Sequence, residues 1–181
     1  MFELLPHALD RVRLRALRTG DLDAFHVYRS DPVVARYQGW SPMTAGQAAE
    51  FLRLHAGQVG PVAGAWRQWA IADLRDDRLL GDLGVWLSAD CTQAEFGLSI
   101  TPAAQGKGYG TECVRGLVRL LFAATPVSEV VASADLRNAA CLAALVRARM
   151  RQVDVRQAVY KGETCTERVF SVRRPERDSR S

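Results

Sequence analysis

The sequence predicts an α/β (α+β) domain in which helices flank both faces of a mixed, largely antiparallel twisted sheet. Two observations predict this fold. Three strand-length segments follow one another with connections too short for a crossover, which indicates an antiparallel meander. After them, amphipathic helical segments alternate with single strands, which indicates that part of the sheet is mixed.

The N-terminal part predicts one strand followed by three helices. Residues 11–17 alternate Arg and apolar side chains, which is typical of a strand with one wet face. Thr19 precedes an amphipathic helical segment with acidic residues in its first turn. In the pair Asp31-Pro32, Asp suits the cap and Pro the first position of a short second helix. Thr44 and Gln47 form a capping-box pattern that predicts the start of a third helix.

The remaining elements are predicted from changes of hydrophobic period. The meander strands are predicted at residues 66–74, 79–87 and 93–101, a helix at 110–124, a strand at 129–134, a helix at 138–150, and a final hairpin of 153–160 and 165–172. No repeat or linker interrupts the chain, so we expect one domain over residues 1–174. Residues 175–181 mix both charges without an apolar side chain, and we expect a disordered basic tail there.

Composition narrows the function classes. The chain has 181 residues, is 48% hydrophobic and carries a net charge of +4, with Lys only at Lys107 and Lys161. Arginine favours planar recognition of phosphates and carboxylates. The sequence shows no basic face with interleaved aromatic residues, so we expect no nucleic-acid partner. The sequence shows neither a membrane span nor a secretory signal, so we expect a cytoplasmic protein without a membrane partner. Four widely spaced cysteines predict reduced thiols and no metal site.

A glycine-rich turn over residues 101–112 is the most informative segment. Glycines at Gly106, Gly108 and Gly110 let consecutive N–H groups approach a ligand, and the following helix adds its positive end. Such a turn suits phosphate. The nucleotide P-loop is absent, and Thr111 stands where the dinucleotide fingerprint needs its third glycine. The pattern Q/R-x-x-G-x-G/A is met by Gln105, Gly108 and Gly110, with the dinucleotide fold kept as a minor alternative.

Residues 95–138 resemble the GNAT superfamily of N-acetyltransferases, in particular the branch that acetylates the N-termini of ribosomal proteins. The matching segments are Glu95-Phe96-Gly97-Leu98, the turn from Gln105 to Glu112, and Asn138-Ala139-Ala140-Cys141. The resemblance implies a GNAT-like sheet and transfer of an acetyl group from acetyl-CoA directly to a primary amine. It also implies that the strand before the turn splays from its neighbour and bonds the pantetheine arm through its backbone. An N–H of this strand would stabilise the oxyanion.

The resemblance assigns roles to individual residues. Its cofactor-binding residues are Leu98, Ser99, Ile100, Gln105, Gly106, Lys107, Gly108, Tyr109, Gly110, Thr111 and Asn138. Glu95 is the candidate base, and a solvated strand carboxylate is the alternative. Cys141 is the candidate donor to the departing thiolate, and a small apolar filler is the alternative. Asn138 is equally suited to capping a helix.

The acceptor stays open between a protein N-terminal α-amine, a polyamine and an aminoglycoside. Arg149 stands where the branch has glycine, which leaves the exit from the late helix undetermined. Because of the changes at Cys141 and Arg149, a non-catalytic acyl-CoA-binding domain is the alternative function. Apolar strands in the last hairpin favour a homodimer.

Overall fold

The structure is a computed structural model that describes residues 2–175. Its strands are β1 (His7–Ala8), β2 (Val12–Ala16), β3 (Trp66–Asp73), β4 (Leu79–Leu87), β5 (Gln93–Ile100), β6 (Glu129–Asp135), β7 (Arg151–Tyr160) and β8 (Glu163–Arg173). Its α-helices are α1 (Leu22–Arg29), α2 (Pro32–Ala35), α3 (Ala45–His55), α4 (Tyr109–Ala124) and α5 (Ala139–Arg147). Short 3-10 turns lie at Thr19–Asp21 and Pro102–Ala104. The end of the predicted tail, residues 176–181, lies outside the described residues.

The strands form one sheet in the order β1-β2-β3-β4-β5-β6-β8-β7. Every pair is antiparallel except β5 with β6, which confirms a mixed, largely antiparallel sheet. One apolar core lies between the sheet and helices α4 and α5, and a smaller one lies under α1 and α3. Helices therefore cover both faces, as predicted.

Side-chain caps fix where two of the early helices begin. Asp31 accepts a hydrogen bond from the N–H of Val33 at 2.7 Å, and Pro32 opens α2. Thr44 and Gln47 cap α3 reciprocally, with donor–acceptor distances of 3.3 and 2.9 Å. Both predictions from these capping patterns are confirmed, because each side chain satisfies an N–H that the helix itself leaves unpaired.

Three boundaries predicted from the sequence are wrong. The late helix ends at Arg147 rather than at residue 150, β7 begins at Arg151 rather than at 153, and β8 begins at Glu163 rather than at 165. The two-residue strand β1 was not predicted, because it is too short to show a period.

The early end of α5 is a Schellman cap built on an arginine. Arg149 has a φ of 66°, its N–H donates to the carbonyl of Val146 at 2.9 Å, and the N–H of Met150 donates to Leu145 at 3.1 Å. Leu145 and Met150 are both buried, as the hydrophobic contact of this motif requires. Arg149 thus adopts a left-handed backbone conformation that is strained for a residue with a β-carbon and unstrained for glycine.

Replacing Arg149 with glycine removes this backbone strain. We expect Arg149→Gly to raise the free energy of unfolding by about 1 kcal/mol, because a left-handed residue with a β-carbon costs roughly that much. Chemical denaturation measures the change. The matched control Arg147→Gly, within α5, should lower stability by up to about 1 kcal/mol. A loss of stability in Arg149→Gly would contradict the strain account.

Candidate active site

A gap opens between β5 and β6 in the middle of the sheet. The two strands pair only from Gln93 opposite Glu129 to Glu95 opposite Val131. Beyond that point β5 stays paired with β4 up to Ile100, whereas β6 stays paired with β8 up to Asp135. The only parallel pair among the described strands therefore separates into a V.

Backbone groups of β5 line this gap. The N–H of Thr101 donates to Leu80 at 2.9 Å, and in an antiparallel ladder alternate residues bond the same partner strand, so Ser99 also faces β4. The backbones of Leu98 and Ile100 consequently face the gap. Their N–H groups point to where no described strand pairs with β5.

Two glutamine side chains satisfy the carbonyls on the same edge. The Nε2 group of Gln38 donates to the carbonyl of Leu98 at 3.3 Å, and Nε2 of Gln105 donates to that of Ile100 at 2.9 Å. Side chains thus replace the missing strand for the carbonyl groups. The donors of Leu98 and Ile100 are left for a ligand.

The glycine turn lies at the open end of this gap. Gly106 and Gly108 have φ values of 73° and 84°, which favour glycine, and Gly108 caps the N-terminus of α4. A β-carbon at Gly110 would lie 3.8 Å from the Leu98 side chain, so the start of α4 packs against β5. The turn therefore brings unpaired helix N–H groups beside the gap-facing backbone of β5.

Side chains hold the turn in this shape. Nη1 of Arg11 donates to the carbonyl of Lys107 at 3.0 Å, while Nε of Arg11 pairs with Glu112 at 2.7 Å. The ammonium group of Lys107 donates to the carbonyl of Ala103 at 2.8 Å. The guanidinium of Arg11 also lies 4.7 Å above the ring of Tyr109. Of the predicted contacts, the structure places Gln105 to Thr111 together at this turn.

The start of α5 belongs to the same face of the sheet as α4. Oδ1 of Asn138 accepts from the N–H of Cys141 at 3.2 Å, so Asn138 is a helix cap, and its amide N–H groups remain for other contacts. Burial raises the pKa of the Cys141 thiol to about 11. The thiol is therefore protonated at neutral pH and is less acidic than an exposed thiol.

Glu95 lies on the opposite face of the sheet. It is paired with Trp86, which is in turn paired with Trp66, so the three side chains form a row across β3, β4 and β5. Trp66 is 49% exposed. Burial raises the pKa of Glu95, and the charge of Glu167 adds to the rise while Arg156 opposes it. A raised pKa brings this carboxylate nearer to the range useful for a base at neutral pH.

A polar cluster beside Glu95 was not predicted from the sequence. Glu167 is only 2% exposed and accepts from Nε of Arg156 at 3.1 Å and from Oγ of Ser133 at 3.4 Å. Burial, with a contribution from Glu167, raises the pKa of the Tyr160 hydroxyl to about 12. The available signal was a charged residue among the inward-facing positions of β8.

The aspartates between β3 and β5 are engaged within the protein. Asp73, Asp76, Asp77 and Asp90 accept hydrogen bonds in their own turns or from nearby arginines. Buried Asp82 accepts from the Tyr28 hydroxyl at 2.8 Å and from Arg29 and Gln68. The Arg29 guanidinium lies 4.4 Å from the ring of Trp40. The negative charge of Asp82 is thus neutralised by Arg29 inside the protein, so Asp82 is not available to a cationic acceptor.

The sequence of residues 11–151 matches the family model described as the acetyltransferase (GNAT) domain. The chain belongs to the GNAT family. A curated relative, an uncharacterized N-acetyltransferase p20 from Bacillus licheniformis, is 24% identical over 71% of this chain and 72% of its own length. This GNAT protein is therefore an acetyltransferase enzyme.

Solved structures share the fold. A GNAT acetyltransferase from Bacillus anthracis superposes with a TM-score of 0.83 at 18% identity, covering 96% of this chain and 98% of the other. A Vibrio cholerae protein described as a candidate ribosomal-protein-serine acetyltransferase has a TM-score of 0.78 at 16% identity, covering 96% and 100%. Spermidine N-acetyltransferase from Vibrio cholerae, solved with CoA and spermine, has a TM-score of 0.74 at 18% identity, covering 90% and 95%.

Two further findings concern residues 2–175. None of their helices is long and apolar enough to cross a membrane. Within the same residues no group of three His, Cys, Asp or Glu side chains converges in a way that could hold a metal ion. The four cysteines are free thiols.

Proposed function

We propose that this enzyme transfers the acetyl group of acetyl-CoA directly to a primary amine within a ternary complex. The observation that carries the proposal is the V between β5 and β6, which has two N–H donors on its edge and a glycine turn at its open end. The gap connects the two faces of the sheet. One substrate can therefore approach along α4 and α5 while the other approaches from the side of Glu95.

The residues on the α4 face fit acetyl-CoA. The N–H groups of Leu98 and Ile100 suit an extended pantetheine arm, and the turn from Gly106 to Thr111 suits the pyrophosphate. Ser99 is not part of this proposed set because its backbone faces β4. Acetyl-CoA supplies an activated thioester.

The N–H of Leu98 is the proposed donor to the thioester carbonyl oxygen. It lies on a strand held rigidly by β4, so it is oriented before the substrate arrives. A donor of this kind, fixed in a water-poor gap, is typically worth about 3 to 4 kcal/mol of activation free energy.

Glu95 is the proposed base for the acceptor amine, directly or through a water molecule. The row of Trp66, Trp86 and Glu95 supports a cationic acceptor, since indole faces attract ammonium groups and the carboxylate can take the proton. A polyamine, a protein N-terminal α-amine and an aminoglycoside all meet this description. The similarity to a spermidine N-acetyltransferase supports the polyamine, and the similarity to a candidate ribosomal-protein-serine acetyltransferase supports the protein N-terminus.

Cys141 is the proposed donor to the sulfur of the departing thiolate. A protonated thiol donates only a weak hydrogen bond, but burial keeps its hydrogen in place at neutral pH. The amide of Asn138, one turn earlier, is free to contact the pantetheine arm.

A homodimer and a cytoplasmic location remain predictions. β7 supports the dimer, because it is the last strand of the sheet and exposes Val153, Val155 and Val159. Sedimentation equilibrium measures the mass in solution, and a mass of one chain would contradict the dimer.

Blocking the turn tests the coenzyme site. We expect acetyl-CoA to bind the parent protein with micromolar affinity by calorimetric titration, about −8 kcal/mol, and to lose binding in Gly108→Trp. Gly108 has a left-handed φ of 84°, so a side chain there both strains and fills the turn. The control Gly46→Trp adds the same ring at an open position on α3 and should bind normally. No binding to the parent protein would overturn the proposed function.

Removing the carboxylate of Glu95 tests the base. We expect Glu95→Gln to lower kcat about 100-fold, since general bases typically contribute at least that factor. A base works only when deprotonated, so kcat/KM of the parent should fall as the pH drops through the raised pKa of Glu95, and this acid limb should vanish in the variant. The exposed-carboxylate control Glu50→Gln on α3 should keep both rate and profile. Unchanged kinetics in Glu95→Gln would make Glu95 an ordinary strand carboxylate.

Exchanging the thiol of Cys141 tests the donor. We expect Cys141→Ala to lower kcat about 10-fold and Cys141→Ser to retain or raise it, because a hydroxyl is the stronger donor. Acetyl-CoA affinity, measured by calorimetry, should change little in either. The control Cys91→Ala alters a thiol in the β4–β5 turn and should leave kcat unchanged. Equal losses in the Ala and Ser variants would show that Cys141 only fills space.

A further inference from the structure

A basic cleft continues from the glycine turn along α4 to the end of α5. Two adjoining cavities of about 650 and 400 Å³ form it, and they share Arg115 and Arg119 as lining residues. The larger cavity reaches Gly108 and Thr111 of the turn, and the smaller one reaches Arg149. We call this continuous surface the arginine cleft.

The charge of the arginine cleft is strongly positive. Arg115, Arg119, Arg147 and Arg149 line it, and none of the four forms a salt bridge with any residue from 2 to 175. Of the two carboxylates in the lining, Glu112 is already engaged by Nε of Arg11 at 2.7 Å and by its backbone N–H at 2.7 Å. Among the described residues, Asp10 is therefore the one lining carboxylate left to balance the charge of the four guanidinium groups.

The arginines are arranged along a line that begins at the turn. Thr111, Arg115 and Arg119 are spaced by four residues on α4, which places them on one face at intervals of about 6 Å. Arg115 donates to the carbonyl of Arg147, which ties α4 to the end of α5. Side chains from two helices therefore converge on the same cleft.

Arg149 distinguishes the cleft from an ordinary solvated helix face. It occupies the left-handed position of a Schellman cap, with a φ of 66°, where glycine would be free of strain. Backbone strain that is retained at one residue points to a role for its side chain. That side chain lines the cleft.

We propose that the arginine cleft binds the 3′-phosphate of coenzyme A and so selects the 3′-phosphorylated coenzyme over its 3′-dephospho form. The inference rests on the proposed function, which places the pyrophosphate at the glycine turn. One ribose beyond the pyrophosphate, the coenzyme carries a phosphate monoester with nearly two negative charges at neutral pH. Guanidinium groups bind such a dianion through paired N–H donors, and they require no deprotonation to do so.

Calorimetric titration with two ligands, acetyl-CoA and acetyl-3′-dephospho-CoA, tests the proposal. We expect the parent protein to bind acetyl-CoA about 10- to 100-fold more tightly, the factor typical of charge-assisted hydrogen bonds. In the double variant Arg119→Gln/Arg149→Gly this ratio should fall to about 1 through loss of acetyl-CoA affinity alone. The control Arg53→Gln removes one positive charge on α3, on the other face of the sheet, and should keep the ratio.

The outcomes separate this inference from the proposed function. Equal, tight binding of both ligands by the parent protein would overturn the role of the arginine cleft and leave acetyl-CoA binding intact. Binding of neither ligand would overturn the cleft and the acetyltransfer proposal together. If the double variant weakens both ligands equally, the arginines act on another part of the coenzyme and the proposal is wrong. The single variant Arg119→Gln, at an exposed helical position, repeats the comparison should the double variant fail to fold.

Discussion

The incomplete pairing of β5 is the constraint on which the rest of the structure depends. β5 bonds β4 along its whole length but bonds β6 over only three residue pairs. One edge of a central strand is thereby exposed inside the protein, where unpaired backbone groups are costly. Gln38 and Gln105 relieve that cost for the carbonyls of Leu98 and Ile100 and leave the donors unrelieved. The gap therefore favours a ligand that accepts hydrogen bonds, because the backbone groups that face it without a described partner are N–H donors.

Such a gap persists only if the sheet on each side of it is rigid. On the β4 side, buried Asp82 draws together Tyr28 and Arg29 from α1 and Gln68 from β3. A buried ion pair contributes little net stability compared with apolar packing. Removing one of its two partners, however, leaves an uncompensated buried charge that costs about 3 to 5 kcal/mol. The cluster consequently fixes where α1 sits on the sheet more than it strengthens the fold. On the other side, Glu167 joins β8 to β7 and β6 through Arg156 and Ser133.

Local patterns in the sequence were sufficient for the order of elements and for the turn, because caps, periods and glycine spacing act over a few residues. The end of α5 was misplaced since Arg149 adopts a backbone conformation that its residue type disfavours. The two backbone hydrogen bonds of the cap and the burial of Leu145 and Met150 compensate for it. Glu167 was missed for a different reason. Its significance depends on strands β6 and β7 meeting around it, and such long-range contacts leave no local period. The separation of β5 from β6 was inferred from family resemblance and not from any property of the two segments.

The two faces of the sheet present different polar groups beside the gap. The α4 face ends in arginines and helix N–H groups, which suit a ligand with several phosphates. The opposite face presents Glu95, whose pKa is raised by burial, with an addition from the charge of Glu167 that Arg156 opposes. In the proposed mechanism acetyl-CoA lies on the side of α4, and the acceptor amine approaches from the side of Glu95. Because β5 and β6 separate at the gap, the proposed mechanism brings the two reactive groups together beside the N–H of Leu98.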